Sequence, residues 1–297
     1  MWYYTGMSLY DYEVFNTVVE QGSFNKASRI LHVTPSAVSH IIAKLEEDFG
    51  FPLLYRNRTG IALTPDGEKM LPSIKEILQC NEQLNQEISD LNGVSNGIVR
   101  IATISSVAKS WLPSIVKGFK EEHPNVTVRI SQGSYNEVAD WINSGSADLA
   151  FVTGSYKGTE ETELIPLAEE QLLCAMPRDK KTKKKKCITL DELKDEILIH
   201  PLGIDDEVQE YIDKNGLVSG YEYVFDDDSA KLAMVEQGLG ICILPELSFS
   251  ADRYDVKVLP LDPPGSRKIF LAVAHAKFTA PATEEMREHI TEYVENI

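Results

Sequence analysis

Apolar residues near the start of the chain are spaced for helices rather than strands. Leu9, Tyr12, Phe15, Val18 and Val19 recur at helical intervals over residues 8–21, and Gly22 follows as a stop. Ser23 stands where an N-cap belongs and opens a short helix through Ala27 and Ile30. After a tight connection at Leu31, His32 and Val33, Thr34-Pro35 supplies a cap and a helix-compatible proline. The helix they start places Val38, Ile42, Leu45 and Phe49 on one face, ends at Gly50, and turns Thr34, Ser36, Ser39, His40 and Lys44 outward. Residues 54–63 then predict a hairpin with Gly60 in its turn.

Helix, short helix, tight turn, helix and hairpin make a winged helix-turn-helix, whose second motif helix can lie in a major groove of double-stranded DNA. Small hydroxyls permit close approach to base edges. The candidate DNA-binding set is therefore Ser23, Thr34, Pro35, Ser36, Ser39 and His40, with Lys44, Arg56 and Arg58 towards phosphates. An ordinary helical hairpin with a solvated polar face would show the same local pattern.

The next segment repeats with a different period. Thr64-Pro65 starts a helix with Asp66 and Glu68 in its first turn, where the helix dipole favours acids. Met70, Ile74, Ile77, Asn81, Leu84, Ile88 and Leu91 then follow at alternating steps of four and three, a heptad seam. Pro72 lies off the seam and predicts a bend. Ile74, Ile77, Asn81, Leu84, Ile88 and Leu91 are the candidate dimerisation residues, with Asn81 as a polar register-setter. Packing of the same stripe on the chain's own core is the alternative.

Beyond a loop at residues 93–97, strand and helix patterns alternate: 98–102, a helix through Trp111 and Phe119, 126–130, a helix through Trp141, and 149–152. Strands are again expected at 172–176, 197–199, 221–225 and 241–244, giving an α/β region with largely parallel sheets. Residues 268–274 suggest a return of the chain to the first subdomain. Ligands of such sheets bind beyond strand C-termini. Ser105, Ser106, Ser134, Tyr135, His200 and Asp228 fall at those points and are the candidate ligand-binding residues. The hydroxyls favour an anionic small molecule such as a carboxylate, whereas residues 205–207 and 226–228, all acidic, favour an amine or cation. Each serine is equally a plain helix cap.

The length of 297 residues fits about two domains. With 43% apolar and 25% charged residues the composition is that of a globular protein, and no apolar run approaches the ~20 residues of a membrane span. Residues 1–4 carry no secretory pattern, and Met7 is a second candidate start. Four scattered cysteines without metal-ligand spacing point to a reduced, cytoplasmic setting. The net charge of −17 excludes indiscriminate polyanion binding. Residues 1–92 hold 7 Lys and Arg against 12 Asp and Glu, so DNA binding must rest on a local patch and on shape. The lysine run at 180–186 reads as a solvated loop more readily than as a DNA or acidic-partner contact. Cys187 beside it raises redox sensing, for which no second cysteine lies near in sequence. Six dispersed histidines give no zinc pattern.

Phe15, Gly22-Ser23-Phe24, Ala27-Ser28, Leu31, Val33-Thr34, Ala37-Val38-Ser39, Ile42, Lys44-Leu45-Glu46, Gly50, Leu53, Arg56, Leu63-Thr64 and Gly67 together resemble the N-terminal domain of LysR-type transcriptional regulators. Pro35-Ser36 stands where many members have Gln then Ser or Pro, Ile41 where a polar residue is frequent, and His40 where Arg is common. The family's favoured base contacts therefore do not carry over. Leu112-Pro113, His123-Pro124, Gly145-x-x-Asp148-Leu149-Ala150, Gly238-x-Gly240-Ile241 and Leu244-Pro245 resemble the family's effector domain, itself similar to type 2 periplasmic solute-binding proteins.

The resemblance implies an α+β protein overall. A winged helix-turn-helix (7–65) leads by a linker and dimerisation helix (66–92) to a two-lobed α/β effector domain (93–297). Lobe I then covers about 93–165 and 269–297, and lobe II about 166–268. It also implies sequence-specific binding to promoter DNA, a dimer or tetramer, contact with RNA polymerase, a small-molecule effector of unknown identity, and no cofactor, metal, membrane or catalysis. An enzyme built on the Ser106, His200 and Asp228 cleft is the rival class, and a transport binding protein would not need the winged segment.

Overall fold

The computed structural model describes residues 7–57, 60–91, 97–180, 186–194, 196–201, 207–217, 223–225, 227–249, 254–274, 276 and 279–297, without the side chains at 56, 57, 60, 86, 87, 89–91, 200 and 201. The chain divides into two compact units, Met1–Ile88 and Ser89–Ile297.

In the first unit, local capping sets the element ends. Helix α1 (Leu9–Gln21) begins at a reciprocal capping box between Ser8 and Asp11 and ends at Gly22 in the left-handed region. Ser23 caps α2 (Phe24–Ile30), and Thr34 caps α3 (Pro35–Phe49) through Ala37 N at 3.2 Å. Between them His32 takes a φ of 54°, the sharp point of the turn. Strands β1 (Leu54–Asn57) and β2 (Gly60–Leu63) form the antiparallel wing. Gly60 is paired with Asn57 as the first residue of β2, so it does not occupy the turn as the sequence suggested. Arg58 and Thr59, between the strands, lie outside the described residues.

The wing is tied to α3 by one carboxylate. Glu46 Oε1 of α3 accepts from Leu53 N at 2.8 Å and Leu54 N at 3.0 Å. Thr64 then starts α4 (Pro65–Leu91): its hydroxyl donates to Pro52 O at 2.7 Å and accepts from Gly67 N at 2.9 Å. Helix α4 runs through Pro72 without a break. Val14, Phe15, Val18, Val38, Ile42, Leu45 and Leu53 fill the core of this unit, and Ile74 of α4 joins them.

The second unit is built on a mixed sheet with strand order β4-β3-β5-β12-β6-β11-β7, to which β10 adds through β6. Its first half comprises β3 (Gly97–Thr103), α5 (Ser105–Ser110), α6 (Leu112–Glu122), β4 (Val126–Gln132), α7 (Tyr135–Asn143) and β5 (Leu149–Thr153). Strand β6 (Glu163–Pro177) leads to β7 (Ile188–Thr189), α8 (Leu190–Leu193), β8 (His200–Pro201), α9 (Glu207–Lys214), β9 (Val224–Phe225) and α10 (Asp228–Glu236). Then come β10 (Cys242–Pro245), a 3-10 turn (Glu246–Phe249), β11 (Val256–Asp262), β12 (Ser266–Val273) and α11 (Pro281–Glu295).

The expectation of largely parallel sheets is corrected. Strand β3 is parallel to β4 and β5, but β6 is antiparallel to β10, β11 and β12. The physical reason is the length of β6. Eight of its first nine residues pair with β12, which also pairs with β5, with Leu167 left out at a bulge, and its last six pair with β10 and β11. One extended strand thus serves two apolar cores, one around Phe119, Phe151 and Leu271 and another around Leu172, Met176 and Ile243. Of the lysine run, Lys180 pairs with Glu196 and Lys186 is exposed, while 181–185 lie outside the described residues. Cys174 and Cys242 are buried strand residues, and burial pushes the Cys174 thiol up to about 12. Neither is poised for redox chemistry.

Candidate functional site

In the first unit the polar face of α3 is open. Thr34, Pro35, Ser36, His40 and Lys44 are exposed and Ser39 is half-buried, while Val38, Ile42 and Leu45 point into the core. Thr34 and Ser36 hydroxyls lie 3.0 Å apart across the first turn. Ser23 is engaged as the cap of α2, accepting from Lys26 N at 3.4 Å. Arg58 and the side chain of Arg56 lie outside the described residues. The face presents small hydroxyls at the helix start, with an imidazole and one ammonium further along the same helix, a set that can read base edges and hold a phosphate.

Along α4 the heptad seam divides. Ile74 is 3% exposed and packs in the winged core, so its assignment to dimerisation is corrected: the same apolar spacing serves an intrachain contact there. Met70 packs against that core as well. Further along, Ile77, Leu84 (54% exposed) and Ile88 are open to solvent and Asn81 is half-buried. The side chain of Leu91 lies outside the described residues.

In the second unit a cleft of about 230 Å³ is lined by Ser105, Ser106, Ser134, Tyr135 and Asp228, together with Lys231, Asp227 and Leu244. Five of the six sequence candidates thus converge; the side chain of the sixth, His200, lies outside the described residues. Their hydroxyls are already at work. Ser134 caps α7 in a reciprocal box with Glu137, which holds the Glu137 carboxyl below the usual range. Ser106 accepts from Arg267 Nη2 at 2.9 Å, and Tyr135 Oη accepts from Arg267 Nη1 at 3.0 Å.

Arg267 is the residue that sequence reasoning missed. It is 1% exposed, and its guanidinium also binds Glu170, its register partner across β6 and β12. Burial opposes its charge, but Tyr135 and Glu170 more than compensate, so its pKa is raised. Glu170 Oε2 in turn accepts from Leu247 N at 2.7 Å, and Ser110 of α5 donates to Leu247 O at 3.0 Å. The ion pair therefore joins α5 and α7 to the turn that follows β10. A signal for Arg267 does exist in the sequence: it shares the inward face of β12 with Ile269 and Leu271 at a period of two.

A second pair sits on α10. Lys231 Nζ donates to Asp228 Oδ1 at 3.0 Å, and Ser248 donates to Asp228 Oδ2 at 2.7 Å. Burial would raise the Asp228 carboxyl, but Lys231, Ser248 and Arg267 outweigh it and leave it below the ordinary carboxylate value. A depressed folded-state pKa contributes stability that is present above the unfolded value and lost as pH falls through the folded one. Urea midpoints of Asp228→Asn should therefore fall less steeply than those of the parent between neutral and acid pH, with the variant already weaker at neutral pH. Parallel curves would show that Asp228 does not carry this linkage.

Comparison with known proteins agrees with this geometry. Residues 9–68 match the family model for the bacterial regulatory helix-turn-helix protein of the lysR family, and residues 92–295 match the LysR substrate binding domain. The uncharacterized HTH-type transcriptional regulator YvbU of Bacillus subtilis is 28% identical over 275 residues, covering 91% of this chain and 93% of that protein. The HTH-type transcriptional activator CmpR of Synechocystis is 28% identical over 261 residues, covering 87% and 85%. A full-length OxyR variant from Pseudomonas aeruginosa superposes with a TM-score of 0.75 at 19% identity, covering 97% of each chain. Full-length CbnR complexed with its target DNA superposes at 0.62 with 21% identity, covering 97% and 100%. These two likenesses carry the fold. With an open polar face on α3, the 27-residue helix α4 and a polar cleft in the second unit, and both family models matched, the protein belongs to the LysR family of DNA-binding transcriptional regulators, whose C-terminal domain binds an effector.

Proposed function

We propose that α3 enters the major groove and reads bases through Thr34, Ser36, Ser39 and His40, while Lys44 and the wing arginines Arg56 and Arg58 meet phosphates. The observation that carries this reading is the division of α3 into a buried apolar face and an open face of hydroxyls, imidazole and ammonium. Footprinting on the promoter recovered by genomic selection tests it. Ser36→Ala should change the preferred sequence, whereas Lys44→Ala should weaken all sequences about equally and reduce the salt slope by about one. A uniform loss for Ser36→Ala would remove it from base reading.

Two chains pair through the open stretch of α4, with Ile77, Leu84 and Ile88 as the apolar contacts and Asn81 as the polar member that sets register. A single acidic head has few cations to offer a duplex, and pairing roughly doubles its phosphate contacts. Leu84→Asp should shift the protein towards monomer in sedimentation and lower promoter affinity at least about tenfold, through loss of the second half-site. Full dimer content in that variant would rule out the α4 interface.

The cleft bordered by Ser105, Ser106, Ser134, Tyr135 and Asp228, with His200 as the remaining candidate, takes a small-molecule effector whose unequal affinity for two lobe arrangements switches the regulator. It performs no chemistry in this reading, because the Ser106 hydroxyl and the Asp228 carboxylate are held by Arg267 and Lys231 rather than as a nucleophile with its base. The setting is the cytoplasm, with a dimer or tetramer on promoter DNA and RNA polymerase as the downstream contact.

A further inference from the structure

Beside the cleft, the same half of the second unit holds another cavity, of about 320 Å³, with a different chemical character. Its floor is Ile104, Val138, Phe151 and Val152, all buried, and Tyr135 and Tyr156 form its aromatic walls. Neutral polar groups and one cation, Asn136, Asn143, Thr153, Ser155 and Lys157, complete the lining together with Ala139 and Gly158. The two cavities have Ile104 and Tyr135 in common.

Size and charge both restrict the occupant. A dry cavity of about 150 Å³ already accepts a benzene ring, and small-molecule sites begin near 300 Å³. The described lining holds no carboxylate, in contrast to the cleft with Asp227 and Asp228. Glu137 of α7 is exposed and turned to Ser134, and Glu207, which adjoins Gly154 and has both carboxylate oxygens closed off from solvent, is not part of the lining. Donors are available. Lys157 Nζ spends one proton on Gly154 O at 3.0 Å and has two more, and Asn143 Oδ1 accepts from Tyr156 at 2.6 Å, which leaves its amide nitrogen as the donor side.

We propose that this second cavity is a binding site for a small monocarboxylate with an aromatic or branched apolar body. The body lies on Phe151 and Val138, and the carboxylate meets Lys157 and the Asn143 amide. Because Tyr135 walls both cavities and is held by Arg267, an occupant here acts on a side chain that also shapes the cleft. The two cavities therefore admit chemically different ligands, the acid-free one taking the anion.

Thermal unfolding and calorimetric titration of the full-length protein with phenylacetate, phenylacetamide and 2-phenylethylamine test this. Phenylacetate should raise the unfolding midpoint in proportion to its occupancy, and the amide should bind about tenfold more weakly. Lys157→Met should bring acid and amide close to parity, and Ala139→Phe, which fills the cavity, should abolish both. Ser155→Leu at the rim gives the same readout if Ala139→Phe does not fold cooperatively. Absence of stabilisation by both phenylacetate and isovalerate would overturn the proposal. So would an amine that binds as tightly as the acid. Binding that survives both filling variants but is lost in Ser105→Leu would place the ligand in the cleft and equally refute it.

Discussion

An Arg267→Met chain will lose about 3–5 kcal/mol of stability, because the substitution strands Glu170 as a buried charge without its counter-ion. Both side chains are nearly inaccessible, so water cannot take over the lost contacts. The Arg267→Met, Glu170→Met double variant should recover most of the loss, since apolar replacement of a whole buried pair is often neutral or better. The recovered stability should come without a recovered response to effector. Ser106 and Tyr135 would no longer be held from behind, and Leu247 N would lose its acceptor. Urea unfolding of the four chains of this cycle measures the first effect, and hydrogen exchange at α5, α7 and Leu247 the second. A single variant that costs less than about 1 kcal/mol would show that the pair is not a stabilising tie.

The other large effect is expected at Gly67. A Cβ there would sit 2.2 Å from Leu53 O, a backbone atom that is itself engaged by Thr64 N at 2.9 Å. Neither partner can yield, because Glu46 fixes the wing at Leu53 and Leu54 while Thr64 fixes the start of α4. Gly67→Ala should therefore destabilise the winged unit by about 3 kcal/mol, at the upper end of overpacking costs. Denaturant unfolding followed through the first unit, with DNA binding lost in parallel, is the check. Near-native stability would mean that the wing moves more readily than its hydrogen bonds suggest.

The winged head was legible because its determinants are local. Ser8, Ser23 and Thr34 cap helices within three residues of themselves, and the stops at Gly22 and Gly50 adopt the left-handed backbone that glycine allows. The heptad stripe was legible as apolar but not as to partner. Ile74 and Ile88 occupy equivalent heptad positions, yet one meets its own core and the other solvent. Strand β6 was seen only in its second half, since Glu163–Pro177 begins with a stretch interrupted by Pro166 and several acids. Arg267 and Glu170 stand 97 positions apart and meet only through strand register, which periodicity does not encode. Of the cleft, the residues at strand ends followed from topology, whereas the charges behind them did not.

The burial of Ile74 has a mechanical consequence. With Thr64, Gly67 and Ile74 clamped into the head, the first turns of α4 and the reading helix move as one solid piece, and Pro72 lies inside the clamped stretch where it cannot act as a joint. A helix of 27 residues is about 40 Å long. Anchored at one end, it behaves as a spoke: a turn of the head by about 10° carries the far tip through an arc of about 7 Å.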